Sequence, residues 1–150
     1  MNSAKNSISF LKEVYELLET ADIPVWIFGG WAEELQGIIE SRPHKDIDLL
    51  YVGKDFEIVD DFLELNQCDI RKKFPHKRAF LYHGVLIEIF LVTKEGDRYI
   101  TNFFNTYKHQ WPISTFDEYT KEFRVCSIET LHDYRAKHVF VEQARSFDKS

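Results

Sequence analysis

Val25-Trp26-Ile27-Phe28-Gly29-Gly30-Trp31, with Arg42-Pro43-His44-Lys45-Asp46-Ile47-Asp48 after it, decides how this chain folds. The first segment is a short apolar run closed by two glycines. The second introduces another apolar run with two acids. Aspartates at i and i+2 of a strand point to the same face. Two carboxylates side by side repel unless a cation sits between them. A glycine pair between strand and helix frees backbone N–H groups to hold phosphate at the helix N-terminus. Together these features point to a site for a metal-bound nucleoside triphosphate.

Working outward, Ile8, Leu11, Tyr15 and Leu18 recur at helical spacing and predict an opening amphipathic helix, ended by Asp22 and Pro24. Val25 to Phe28 reads as a buried strand, and Trp31, Leu35, Ile38 and Ile39 as the apolar stripe of a second helix. Ile47 to Val52 is a strand with Asp46 and Asp48 at its start. Phe56, Val59, Phe62 and Leu63 mark a third helix. Strands follow at 69–74, 78–83 and 85–92. Residues 93–122 give no clear pattern beyond a turn at Glu95-Gly96-Asp97 and a loop at Trp111-Pro112. Phe123 to Cys126 reads as a short strand. Ser127 is placed to cap a last helix carrying Leu131, Tyr134, His138 and Val141. The expected class is α/β (α+β): one domain over 1–150, a small mixed sheet flanked by helices.

Val85 to Val92 holds one charge, Glu88, among seven apolar residues. Its face-mates Leu86 and Phe90 are apolar, as in a buried central strand. A carboxylate there is costly unless paired or bound to metal. Either its head reaches water at an edge, or Glu88 completes a triad with Asp46 and Asp48. Three such oxygen ligands suit Mg2+, which keeps waters and substrate phosphates in its other positions.

The rest of the composition narrows the class. A net charge of −6 argues against a general nucleic-acid binder. Cys68 and Cys126 lack metal-type spacing and fit reduced thiols, hence a cytoplasmic protein. Lys5, Lys12, Glu13 and Glu16 break the N-terminus, unlike a signal peptide, and no apolar run reaches membrane-spanning length.

The order strand, Gly-Gly, helix, loop, D-x-D strand, then a strand with a buried acid resembles the nucleotidyltransferase superfamily that includes DNA polymerase β. Within it the chain is most similar to the small lincosamide and aminoglycoside 2″-nucleotidyltransferases. That branch reads D-G-G-W-x-x-D, then R-x-H-x-D-[IL]-D. Phe28 to Glu34 and Arg42 to Asp48 are the corresponding segments here. Two departures stand out: Glu88 where the branch usually has Asp, and Glu34 where it often has Asp. Neither removes an acid.

The resemblance implies transfer of a nucleoside monophosphate, AMP from ATP, to a hydroxyl of a small molecule such as an antibiotic, with release of pyrophosphate. Asp46 and Asp48 would hold Mg2+ in a two-metal arrangement, with ions roughly 4 Å apart. Glu88 would bind one ion and take the acceptor's proton. The Gly29 and Gly30 amides would face the β- and γ-phosphates. Arg42 would pair with a phosphate oxygen and His44 orient a carboxylate; a loop salt bridge or cap explains these two equally well. Arg71, Lys72, Lys73, Lys77 and Arg78 surround a turn and read either as a solvated hairpin tip or as a cationic rim for the triphosphate.

Trp31 reads as core. Phe103, Phe104, Tyr107 and Trp111 read as core or as walls of an acceptor pocket, and His132 and His138 as surface or packing residues. Other readings of the same fold are a minimal antitoxin-type enzyme acting on protein or RNA, and a non-catalytic nucleotide-binding domain. Little chain remains after residue 92 to enclose a drug-sized acceptor, so either a homodimer completes the pocket or a monomer keeps a shallow, open cleft.

Overall fold

The computed structural model describes residues 6–116 and 122–148. Helix α1 (Ile8–Thr20) is capped by the Ser7 side chain, which accepts from the Phe10 N–H, and buries Leu11, Val14, Tyr15 and Leu18. Strand β1 (Val25–Phe28) leads into α2 (Gly29–Leu35). Then come β2 (Asp46–Val52), α3 (Glu57–Leu65), β3 (Asp69–Phe74), β4 (Lys77–Tyr82) and β5 (Val85–Glu95). Strands β6 (Arg98–Phe103) and β7 (Tyr107–Trp111), a 3-10 turn (Ile113–Phe116) and α4 (Ile128–Phe147) complete the order. The expected α+β class holds: the sheet is mixed and helices flank it. No helix among the described residues is long and apolar enough to cross a membrane.

The strand order is β1-β2-β5-β4-β3, with β6 and β7 continuing from the far end of β5. β2 and β5 run parallel; β1 on β2 and β4 on β5 are antiparallel. Strand alternation divides the central residues into two sets. Ile47, Leu49, Ile87 and Ile89 are fully buried and belong to one core cluster with Leu11, Leu18, Val59 and Leu63 from the helices. Their neighbours Asp46, Asp48, Glu88 and Phe90 project to the opposite face. One side of the sheet is thus given to packing and the other to chemistry.

The structure departs from the sequence expectation in four places. Helix α2 stops at Leu35, because Gly37 adopts φ +76° and turns the chain; Ile38 and Ile39 lie beyond the helix. The stretch without clear pattern forms the end of β5, then β6 and β7, with Gly96 at φ +64° in the turn. Residues 117–121 of it lie outside those described. Trp111, expected in a loop, ends β7, is 1% exposed and donates from Nε1 to Thr101 Oγ1 at 2.8 Å. Residues 123–126 make one parallel bridge, Ile27 to Val125, rather than a full strand.

Helix α4 closes the functional face. Ser127 caps it, accepting from the Thr130 N–H at 3.1 Å. Hydroxyls tie this end to the 3-10 turn: buried Thr115 to Thr130 at 2.6 Å and half-buried Ser114 to Ser127 at 3.1 Å. Tyr134 then stacks on Trp111 and meets the edge of Phe28, which holds α4 over the sheet.

Candidate active site

Parallel pairing brings the three acids together. Asp48 stands opposite Glu88 across β2 and β5, and Asp46 lies two residues earlier on the same face. One carboxylate oxygen from each falls within 4.8 Å of the other two. Burial, then the nearby Glu88 charge, raises the Asp46 carboxyl above its usual range. Burial, then Asp46 and Glu88, holds Asp48 well above it. A group of oxygens that resist sharing negative charge, yet converge on one point, is the donor set a hard divalent cation neutralises. The expected triad is therefore assembled by the fold, and its residues fit a divalent ion.

Gly29 opens α2 at φ +66°, and a Cβ there would overlap Asp48 Oδ2. Only glycine meets both constraints. Gly30 backs onto His44, whose Nδ1 would lie 3.0 Å from an added Cβ.

The other predicted residues separate. Lys77, at the start of β4, points to the acids: its Nζ lies 3.1 Å from Glu88 Oε2, and its side chain is only 10% exposed. It is no solvated hairpin tip. Arg78, one residue on, faces the other way. It makes a fork to Asp60 of α3 (2.7 and 3.1 Å), donates to the Phe74 carbonyl, and its guanidinium covers the Phe56 ring at 4.3 Å. Period-two alternation forces this split, so Arg78 is corrected from nucleotide contact to structural pair. Arg78→Met should cost about 2 kcal/mol, because it strips a half-buried pair of one partner and leaves the Phe74 carbonyl without its donor. Nucleotide affinity should not move; denaturant unfolding and calorimetry check the two halves.

His44 orients a carboxylate, but that of Glu34 (2.8 Å), not of the triad. Its ring lies 4.2 Å from that of Trp31, which is core as expected and donates to Asn6 Oδ1. The Arg42 backbone N–H also binds Glu34, at 3.2 Å. Arg42 and His44 thus brace the loop from behind Gly30. Arg71, Lys72 and Lys73 lie on exposed β3, where Arg71 pairs with Asp69.

Above the acids lies a pocket of about 420 Å³, walled by Phe28, Gly29, Glu33, Phe90, Phe104 and residues of α4. Phe103 and Phe104 line it, whereas Tyr107 and Trp111 do not. Its size is that of a small-molecule site. The α4 residues Tyr134, Arg135, His138 and Arg145 line it too. His138 is the exposed residue expected, packed on Tyr134, and it also lies at the rim of the pocket. The sequence signal for these was the helical spacing 131, 134, 138, 141, which reads as core until the sheet face beneath is known to carry acids. Burial, then the Asp48 charge, raises the Tyr134 hydroxyl and keeps it a neutral donor.

A family model described as aminoglycoside-2″-adenylyltransferase matches residues 10–128. No curated protein sequence matches. Among solved structures, the chain is similar to the lincomycin-bound lincosamide antibiotic adenylyltransferase LnuA: TM-score 0.72, 16% identity, 95% of this chain and 98% of that one covered. It is also similar to antibiotic-resistance factor ANT(2″)-Ia in solution: TM-score 0.66, 17% identity, 97% and 83% covered. The same factor in complex with adenylyl-2″-tobramycin gives TM-score 0.61 at 15% identity, with 91% and 85% covered. At such identities these likenesses speak for the fold.

Proposed function

The chain belongs to the aminoglycoside-2″-adenylyltransferase family, a family of nucleotidyltransferases, and from that premise we propose that it moves AMP from ATP to a hydroxyl of a small molecule, releasing pyrophosphate. One observation carries the reading: Asp46, Asp48 and Glu88 converge within 4.8 Å beside the Gly29 backbone, at the floor of a small-molecule pocket. Antibiotics are the acceptor class that the names of the similar structures carry, lincomycin for one and tobramycin for the other.

Asp46, Asp48 and Glu88 would hold Mg2+, which when bound neutralises triphosphate charge and favours the oxygen nucleophile. The chain's own groups do the rest. Gly29 keeps the floor free of a side chain, so that phosphate can approach the backbone. Glu88 accepts the proton of the incoming hydroxyl. Lys77, now on Glu88, is placed to meet a phosphate oxygen as charge shifts toward the leaving group. Phe28, Phe90 and Phe104 exclude water around the reacting atoms.

Calorimetry should show a triphosphate binding with Mg2+ and at least tenfold more weakly in chelator. Incubation with Mg2+, each of the four triphosphates and a panel of hydroxyl compounds should release pyrophosphate with ATP. Failure of every triphosphate to bind in the presence of metal would sink the enzymatic reading.

A further inference from the structure

His76 lies in the turn between β3 and β4, is 3% exposed, and lines the pocket beside Lys77. The protein fixes its backbone and one ring nitrogen. The carbonyl accepts from the Leu91 N–H at 2.9 Å, and Nδ1 accepts from the Phe104 N–H at 3.2 Å. Phe74 stacks on the ring at a centroid separation of 5.5 Å, while Phe103 and Phe104 meet it at 5.3 and 4.5 Å. These contacts hold the ring in one orientation.

A ring nitrogen that accepts carries no proton, so the proton of His76 sits on Nε2. Burial, then the Lys77 charge, pushes its pKa down to about 4; Arg145 acts in the same direction and Asp148 against it. At neutral pH the ring is uncharged, and Nε2–H is a donor without a protein partner among the described residues. The other end of the Nδ1 bond is strained. Phe104 and Asn105 take φ +54° and +55° at the tip of the β6–β7 hairpin, closed by Thr106 N–H to the Phe103 carbonyl at 3.0 Å. Such a turn favours Asn and Gly, and a bulky side chain there is costly. The strained conformation sets the Phe104 N–H on His76 and the Phe104 side chain in the pocket wall.

The geometry points to His76 as a substrate-binding residue: Nε2–H donates to an uncharged lone pair, on oxygen or ring nitrogen, of a molecule held in the pocket. The inference rests on the transferase reading for what fills the pocket, and goes beyond it by assigning a contact outside the triad and Lys77. Charged phosphate oxygens are met by a cation at the triad and by Lys77. A neutral donor fixed among aromatic rings suits a neutral atom on a ring-shaped group lying against Phe104. Both substrates of the transfer, the nucleoside of ATP and the hydroxyl compound, carry such atoms, and the same chemistry recognises either.

Two substitutions separate the donor at Nε2 from the acceptor at Nδ1. Asn puts an amide oxygen near the place of Nδ1 and nothing at Nε2; Gln puts an amide nitrogen near the place of Nε2 and nothing at Nδ1. Calorimetry on the full chain with Mg2+ reads two arms: a non-hydrolysable ATP analogue, then tobramycin and lincomycin with that analogue bound. Circular dichroism confirms the fold of each variant. His76→Asn should bind about tenfold more weakly in at least one arm, and His76→Gln should stay within about threefold of the natural chain there. A loss in the first arm assigns the contact to the nucleotide, and a loss confined to the second assigns it to the acceptor. A ring that only holds Phe104 in place gives the opposite order, with Asn tolerated and Gln impaired. That order, equal binding by His76→Asn and the natural chain in both arms, or an equal loss in both variants overturns the inference. A natural chain that binds no ATP analogue fails the transferase reading itself, before any variant is measured.

Discussion

Glu88→Gln is expected to cut turnover by on the order of 10²-fold or more while nucleotide still binds. Gln keeps the size of the side chain and an oxygen that can accept from Lys77, 3.1 Å away, but it cannot take a proton from an incoming hydroxyl. Relief of repulsion among three acids would by itself raise the melting temperature. The structure sets a loss against it. Lys77 is only 10% exposed, and the substitution leaves its charge without a charged partner. The two effects oppose, and the melting temperature should move by no more than about 2 °C. Pyrophosphate release under saturating nucleotide, with calorimetry for binding, separates the roles. Unchanged turnover would leave Glu88 as the buried counter-ion of Lys77.

How far the sequence could be read follows from where its information lies. The triad was legible because its parts are local. A two-residue spacing sets the Asp46–Asp48 face, and one acid in an apolar strand marks Glu88. The parallel pairing that sets Glu88 opposite Asp48 is a long-range contact that local spacing alone does not determine. Lys77 and Arg78 were legible as basic but not as opposites, since their separation depends on which face of β4 meets the acids. Arg42 and His44 lie in the recognised motif, yet geometry gives them to Glu34; a motif fixes neighbours, not directions. The walls on α4 were hidden for a different reason. Tyr134, Arg135 and His138 acquire their meaning only from a long-range contact, the docking of α4 over Phe28 and Trp111. β6 and β7 were missed because Lys108, His109 and Gln110 break the apolar runs that mark strands. His109 is fully buried nonetheless, its Nδ1 joined to the Tyr107 hydroxyl at 2.9 Å.

Asp48→Asn should move activity and stability in opposite directions. Loss of a central ligand oxygen removes several kcal/mol of transition-state stabilisation, about 10³-fold in turnover. The metal-free protein should gain roughly 1 kcal/mol, about 3 °C in melting temperature, because the fold no longer encloses an Asp48 charge beside Asp46 and Glu88. The pH dependence follows from the direction of the shift. The folded carboxyl holds its proton more tightly than the unfolded one, whose pKa is 3.8. The natural chain therefore loses stability as pH rises through the raised folded value, and keeps the full cost above it. Below the unfolded value the cost vanishes. Asn carries no such cost at any pH, so the gap between variant and natural chain should be widest near pH 8 and close toward pH 4. Mg2+ should narrow the gap at pH 8 from the other side, since an ion that binds only the folded natural chain raises its melting temperature and leaves the variant nearly unmoved. Melting curves at several pH values, with and without Mg2+, check each limb. A variant that melts below the natural chain at pH 8 without metal would show that Asp48 is held by favourable contacts rather than strained by its neighbours, and the case for a cation at the triad would lose its electrostatic basis.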